Sequence, residues 1–224
     1  MIQRMNFKTK RFKDINVCYL PELDGGGTTF GQEYIDVVKE KFGKVDHIFE
    51  FCAGPGFIGF SLLAHGLCNK LTLADINPKA VEACKETVRM NNLESKVSIF
   101  LSDNLKQIPP SEKWDLAVGN PPHWWTGSEE IYKNNIRKFD PDLRIHKEFY
   151  KNIRKFLKPE GSVLLQENDL ATRSEDFVPM IEENGLQVVE VFKAKPVSAI
   201  SLLFKGKNPR FTKSWYYFIW SKPR

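Results

Sequence analysis

His47-Ile48-Phe49-Glu50-Phe51-Cys52-Ala53-Gly54-Pro55-Gly56-Phe57-Ile58-Gly59 runs from an apolar segment through a glycine-rich turn into a second apolar segment. The first part, residues 47–52, reads as a strand. The second, residues 56–65, has helical spacing, with Ile58, Leu62 and Leu63 on one side and Gly66 as a stop. Gly54, Gly56 and Gly59 spell GxGxxG between them. A strand before and a helix after is the context that gives this motif meaning. Glycines there permit a tight turn and let the backbone come close to a ligand.

The same alternation extends outward in both directions. Residues 32–42 have helical spacing. Strands are expected at 70–74, 97–101, 115–118 and 162–166. Helices are expected from Pro78 to about residue 90, over 144–157 and over 174–183. The last two apolar stretches, 186–192 and 215–220, have no helical pattern between them. A loop containing Pro196, Gly206 and Pro209 joins them instead, which points to an antiparallel pair at one edge. Repeated strand–helix units with right-handed crossovers give an α/β fold: a Rossmann-like, doubly wound, mostly parallel seven-stranded sheet with an antiparallel C-terminal strand pair. Residues 1–33 read as an N-terminal extension or lid, and 34–224 as a single domain. Residues 21–30 and 126–142 fit no regular element. Both flank the expected ligand edge and read as lids.

The chain has 224 residues, 42% hydrophobic and 27% charged, with a net charge of +5. These are globular values, and the mild positive charge permits an anionic partner without requiring one. The four cysteines form no CxxC pair, so reduced thiols in an intracellular, cytoplasmic protein are expected, with no disulfide frame and no zinc site. No apolar run approaches the length of a membrane span, and residues 1–13 lack the apolar core of a signal peptide. No His/Cys/Asp cluster has metal-ligand spacing, so no metal is expected.

Several polar residues fall at strand ends, where open α/β sheets bind ligands. Asp75 closes the second strand, 21 residues after Gly54, where a carboxylate can accept both hydroxyls of a ribose. Glu50 lies four residues before Gly54. Its charge would repel a pyrophosphate but attract an ammonium group. Asp103, after the third strand, is placed to accept from an adenine amino group. Asn120-Pro121-Pro122-His123 ends the fourth strand. Two prolines cannot extend a strand, and Pro121 pushes Asn120 out of the helical region. An amide and an imidazole are thereby held on a stiff ledge, suited to gripping a planar N–H group. A ligand with an ammonium, a ribose and an adenine, but no phosphate, is S-adenosylmethionine.

With these residues assembled, the chain resembles class I S-adenosylmethionine-dependent methyltransferases. More narrowly, it is similar to the Asn-Pro-Pro-aromatic enzymes that methylate protein glutamine or adenine nitrogens. The resemblance covers about residues 46–193 and is strongest in residues 50–56, 74–78 and 120–123. Gln166-Glu167-Asn168 also looks like the family's acid after the fifth strand. The resemblance implies that Glu50, Cys52, Gly54, Gly56, Asp75, Ile76, Asp103, Asn104 and Asn120 bind the cofactor. It also implies that Asn120 grips the target nitrogen. There are departures. Cys52 stands where the family has a glycine, and His123 stands where it usually has Tyr or Phe. The glutamine enzymes often carry an N-terminal helical domain, which the roughly 46 residues before the first strand do not provide for here.

The expected reaction is displacement of the sulfonium methyl by a nitrogen, an amide or amine. Asn120 and the Pro121 carbonyl orient the N–H groups. His123 serves first as a stacking platform and second as a proton acceptor. Pro122, Trp124 and Trp125 complete the expected substrate wall. His146, beside Arg144 and Lys147, reads as a surface or satisfied histidine. The methyl acceptor is left open among protein, nucleic acid and small molecule. Lys133, Arg137, Lys138 and the basic residues of 144–158 suit RNA or DNA but equally a solvated helix face, and a partner chain is possible. Two other readings compete: an NAD-dependent oxidoreductase using the glycine loop, and a non-catalytic cofactor-binding module. The first leaves Glu50 and residues 120–123 unexplained. The intact Asn120 motif argues against the second.

Overall fold

A computed structural model describes residues 5–23, 31–125, 130, 136–193 and 216–224. A hairpin of β1 (Lys8–Phe12) and β2 (Ile15–Tyr19) comes first, then α1 (Glu33–Lys41). Next come β3 (Val45–Phe51), α2 (Phe57–Ala64), β4 (Cys68–Asp75), α3 (Pro78–Asn91) and β5 (Val97–Leu101). The second half runs β6 (Trp114–Gly119), α4 (Arg144–Ile153), β7 (Leu157–Asn168), α5 (Ser174–Glu183), β8 (Leu186–Lys193) and β9 (Tyr216–Pro223).

The main sheet has seven strands in the order β5-β4-β3-β6-β7-β9-β8. β5 to β7 are mutually parallel, and β9 runs antiparallel to both β7 and β8. The expected fold class is therefore observed. The order reverses between β3 and β6, which leaves a crevice beyond the carboxyl ends of those two strands.

Alternate residues of each central strand feed opposite faces. Ile48, Leu71, Leu73, Leu116, Val118 and Leu164 face one core, which receives Tyr34 and Val38 of α1, Phe60 and Leu62 of α2, and Cys84 and Val88 of α3. Phe49, Phe51, Ala117, Val163 and Leu165 face the other, against Phe149 and Ile153 of α4 and Phe177 and Ile181 of α5. Phe49 stacks on Trp114 with ring centroids 3.9 Å apart.

Three elements depart from the expected boundaries. The N-terminal segment contains a hairpin, docked by hydrogen bonds from Asn16 N–H to Asn91 Oδ1 (2.9 Å) and from Cys18 N–H to Thr87 Oγ1 (2.8 Å). Helix α4 stops at Ile153 instead of reaching residue 157. Strand β7 begins at Leu157 and runs through Gly161, with a register shift between Trp114 and Leu116 of its neighbour. Gly161 has no room for a side chain, since a Cβ would stand 2.8 Å from the Trp114 carbonyl. Trp215, Lys133, the Gly25-Gly26-Gly27 run and the loop containing Pro196, Gly206 and Pro209 lie outside the described residues.

Candidate active site

The turn between β3 and α2 is built from left-handed residues. Gly54 has φ 53° and Gly56 φ 78°. A Cβ on Gly56 would stand 2.7 Å from the Phe60 ring. Cys52 also adopts φ 52°, a conformation that disfavours L-residues, at the position where the resemblance expected glycine. Burial pushes its thiol pKa well up, so it is a neutral thiol.

The two acids of this turn are each tied to it. Glu50, 2% exposed, accepts the Gly59 N–H at 2.7 Å. Burial lifts its pKa to about 8, against the pull of the Gly59 and Ile58 N–H groups; the nearby Asp75 charge adds to the lift. Asp75 accepts the Gly54 N–H (2.7 Å) on one oxygen and the Asn77 N–H (2.8 Å) on the other. Burial raises its pKa, opposed by those N–H groups. Each oxygen keeps a second lone pair for a ligand hydroxyl. The cap of α3 is Asn77, whose side chain accepts the Lys79 N–H, with Pro78 at the first helical position.

A cavity of about 350 Å³ opens at the crevice. Glu50, Cys52, Gly54 and Asp75 form one end of its wall, and Ile76, Asp103 and Asn104 another. Ile76 is 43% exposed, an aliphatic surface fit to carry a flat base. Asp103 pairs with Lys106 at 2.7 Å. The Asn104 amide donates to the Ile145 carbonyl at 2.9 Å, while its Oδ1 is buried without a partner.

Asn120, Pro121, Pro122, His123 and Trp124 line it at the end of β6, the strand beside β3. Asn120 Oδ1 is also buried without a partner, an acceptor held beside an open space. The ledge is anchored from behind. The Tyr34 hydroxyl donates to the Gly119 carbonyl at 2.6 Å, with the Leu164 carbonyl at 3.1 Å. It is anchored from the front by an exchange of backbone bonds: Trp124 N–H to the Lys138 carbonyl and Asp140 N–H to the Trp124 carbonyl, both 2.8 Å. Of the residues expected to form the site, Gly56 and Trp125 are not in the cavity wall. Gly56 shapes the turn behind it. The Trp125 indole donates to the Ala171 carbonyl at 3.0 Å.

Several wall residues come from the two segments that fit no regular pattern: Leu23 from the first, and Ile136, Arg137 and Lys138 from the second. Asn168 and Tyr216, from the strand ends of β7 and β9, complete the mouth. Behind the ledge lies a buried polar chain that the sequence did not reveal. His123 Nδ1 is 3.1 Å from Glu167 Oε2. His146, fully buried rather than at the surface, reaches Glu167 Oε1 at 3.0 Å and Asp140 Oδ2 at 2.6 Å. Among the described residues no His/Cys/Asp/Glu group could hold a metal ion, and no helix is long and apolar enough to cross a membrane.

The family model described as "Methyltransferase small domain" matches residues 27–183. A release factor glutamine methyltransferase of Clostridium acetobutylicum is 27% identical over 173 residues, covering 72% of this chain and 58% of that protein. A ribosomal RNA small subunit methyltransferase C of Actinobacillus pleuropneumoniae is 32% identical over 126 residues, covering 52% of this chain and 35% of that one. The chain thus spans about a third to three fifths of these relatives' length. Among solved structures, the 16S rRNA N2 G1207 methyltransferase of T. thermophilus, in complex with AdoMet and guanosine, superposes with a TM-score of 0.65 at 15% identity. That match covers 98% of this chain and 50% of the other, and it bears on the fold.

Proposed function

We propose that this chain, which belongs to the methyltransferase small domain family, transfers a methyl group from S-adenosylmethionine to a nitrogen of a planar amide or amine. The observation that carries the reading is the unpartnered Oδ1 of Asn120, buried on the wall of the cavity that also holds Asp75 and Gly54. An acceptor left empty in a buried site is one reserved for a ligand N–H. The donor set fits the cofactor. Glu50, ionised when a cation comes beside it, supplies negative charge for an ammonium, Asp75 supplies lone pairs for ribose hydroxyls, and Ile76 with Asn104 Oδ1 supplies a flat apolar face and an acceptor for a base. When bound, the cofactor provides an electrophilic methyl, and this chain's residues provide alignment.

Asn120 and the Pro121 carbonyl receive the N–H groups of the acceptor and turn its lone pair toward the methyl. Orientation of this kind supplies roughly 7–11 kcal/mol in favourable cases. His123 closes the site beside them. The acceptor belongs to protein, nucleic acid or a small molecule. The named relatives act on a release factor glutamine or on ribosomal RNA. Calorimetric titration with S-adenosylmethionine, S-adenosylhomocysteine and NAD⁺ tests the reading. Binding of both sulfur nucleosides without NAD⁺ is expected. Absence of binding to either overturns it.

A further inference from the structure

We propose that Asp140, His146 and Glu167 are positioning residues that hold His123 as its Nδ1–H tautomer, leaving Nε2 as a fixed proton acceptor facing the methyl-acceptor nitrogen. This rests on the methyl-transfer reading above. It assigns His123 the role that a phenyl ring at this position could not fill.

Glu167 is completely buried, and its two oxygens contact one nitrogen of each histidine. Burial opposes its ionisation, but the adjacent His146 charge and the bonds from both histidines outweigh it and hold its pKa below the ordinary carboxylate range. An ionised carboxylate only accepts, so each facing ring nitrogen must carry a proton. His146 also contacts Asp140 through its other nitrogen at 2.6 Å, so with Asp140 ionised both its nitrogens donate and it is an imidazolium. Burial alone would neutralise it, but the two flanking carboxylates hold its pKa at about 10. The proton on His123 is thereby committed to Nδ1. Among the described residues Nε2 makes no hydrogen bond, and the ring forms part of the cavity wall beside Asn120.

Two links fix the ring's place. The backbone exchange between Trp124 and residues 138 and 140 joins the ledge to Asp140. The side chains of Asp140, His146 and Glu167 then return from Asp140 to His123, closing a ring of bonds. Such an arrangement sets the tautomer of an imidazole and stabilises its protonated form. In the reaction, the acceptor nitrogen's lone pair forms the N–C bond as the methyl's bond to sulfur breaks. The nitrogen, now carrying a positive charge, passes its proton to His123 Nε2. Glu167 balances the resulting imidazolium until the proton leaves to water. The acceptor is thus a nitrogen with at least one N–H to lose.

The chain has four histidines, which makes ring-nitrogen NMR of ¹⁵N-histidine protein practical. With S-adenosylhomocysteine bound, the neutral form of His123 should carry its proton on Nδ1 and none on Nε2, and at neutral pH His146 should be protonated at both nitrogens. Glu167→Gln should reverse the His123 tautomer, because the amide can donate to Nδ1, while S-adenosylhomocysteine affinity changes less than about threefold. A wild-type spectrum with the proton on Nε2, or a neutral His146, overturns the inference even if Glu167→Gln does not fold. An unchanged tautomer in a folded Glu167→Gln protein also overturns it. Failure of the wild type to bind S-adenosylhomocysteine instead removes the methyl-transfer reading.

Discussion

The backbone nitrogen of Gly59 lies 2.7 Å from the carboxylate of Glu50, so the first helix of the crossover is pinned to the strand that feeds it. The same closeness leaves no room for a side chain. A Cβ on Gly59 would meet Glu50 Oε2 and Leu71 Cδ1 at 2.7 Å and Leu73 Cδ2 at 3.0 Å. Gly59→Ala should therefore destabilise the fold by about 1–3 kcal/mol through overpacking, measurable by urea unfolding. It should also weaken cofactor binding, because Glu50 must move.

Glu50 makes stability depend on pH. Its carboxyl titrates near pH 8 in the fold, against an ordinary 4.5. Between those values the folded state retains a proton that the unfolded state has lost. The contribution is complete below about pH 4.5 and is lost as pH rises toward about 8, with a slope approaching about 1.4 kcal/mol per pH unit. Glu50→Gln keeps an acceptor for Gly59 and removes the titration. Its melting temperature should exceed that of the wild type at pH 8, and the gap should close toward pH 5. A cationic ligand group near Glu50 favours the ionised form, so calorimetry at pH 7 in buffers of different ionisation enthalpy should show proton release on binding S-adenosylmethionine.

Cys52 offers a test of backbone strain. A left-handed L-residue is disfavoured by roughly 1–2 kcal/mol, and glycine adopts that conformation freely. Cys52→Gly relieves this but loosens the unfolded chain and removes a half-buried thiol, so its stability should stay within about 1 kcal/mol of wild type. Cys52→Val, branched at Cβ, should lose more than about 2 kcal/mol in the same urea titration.

Tyr34 connects the fold to the ledge. Its hydroxyl is buried between the carbonyls of Gly119 and Leu164, immediately behind Asn120. Tyr34→Phe should reduce stability by about 1–2 kcal/mol. It should also lower the methyl-transfer rate more than it weakens cofactor affinity, since the ledge it braces is the proposed seat of the acceptor.

The α/β core and most of the cavity wall were legible from local pattern. The glycine turn, Asp75 and the double proline each dictate backbone geometry within a few residues of themselves. The hairpin was not legible. Lys8–Phe12 and Ile15–Tyr19 are only five residues each, the first mostly charged, and they turn at Lys13 with φ 49° rather than at glycine. One signal could have pointed to it. Helix α2 is apolar on every side, with Phe57 through Leu63 all buried, and such a helix needs a second cover besides the sheet. Phe12 and Tyr19 of the hairpin supply it, with ring centroids 6.0 and 5.5 Å from Phe57. For His146, read as a surface or satisfied histidine, the structure decides for the satisfied one. Its charged sequence neighbours suggest a surface, while its partners lie 6 and 21 residues away and meet only through β7 and the turn before α4.

The proposed clamp of Asn120 on a methyl-accepting nitrogen can be tested directly. The direct measurement follows labelled methyl from S-adenosylmethionine into the protein, RNA and small-molecule fractions of a cell extract, using the wild type and Asn120→Ala. The wild type should place label on nitrogen in one fraction. Asn120→Ala should bind the cofactor with similar affinity and transfer methyl at least about 100-fold more slowly, since a misaligned acceptor forfeits orientation. Equal transfer by the two proteins, or label on oxygen or carbon, would contradict the account.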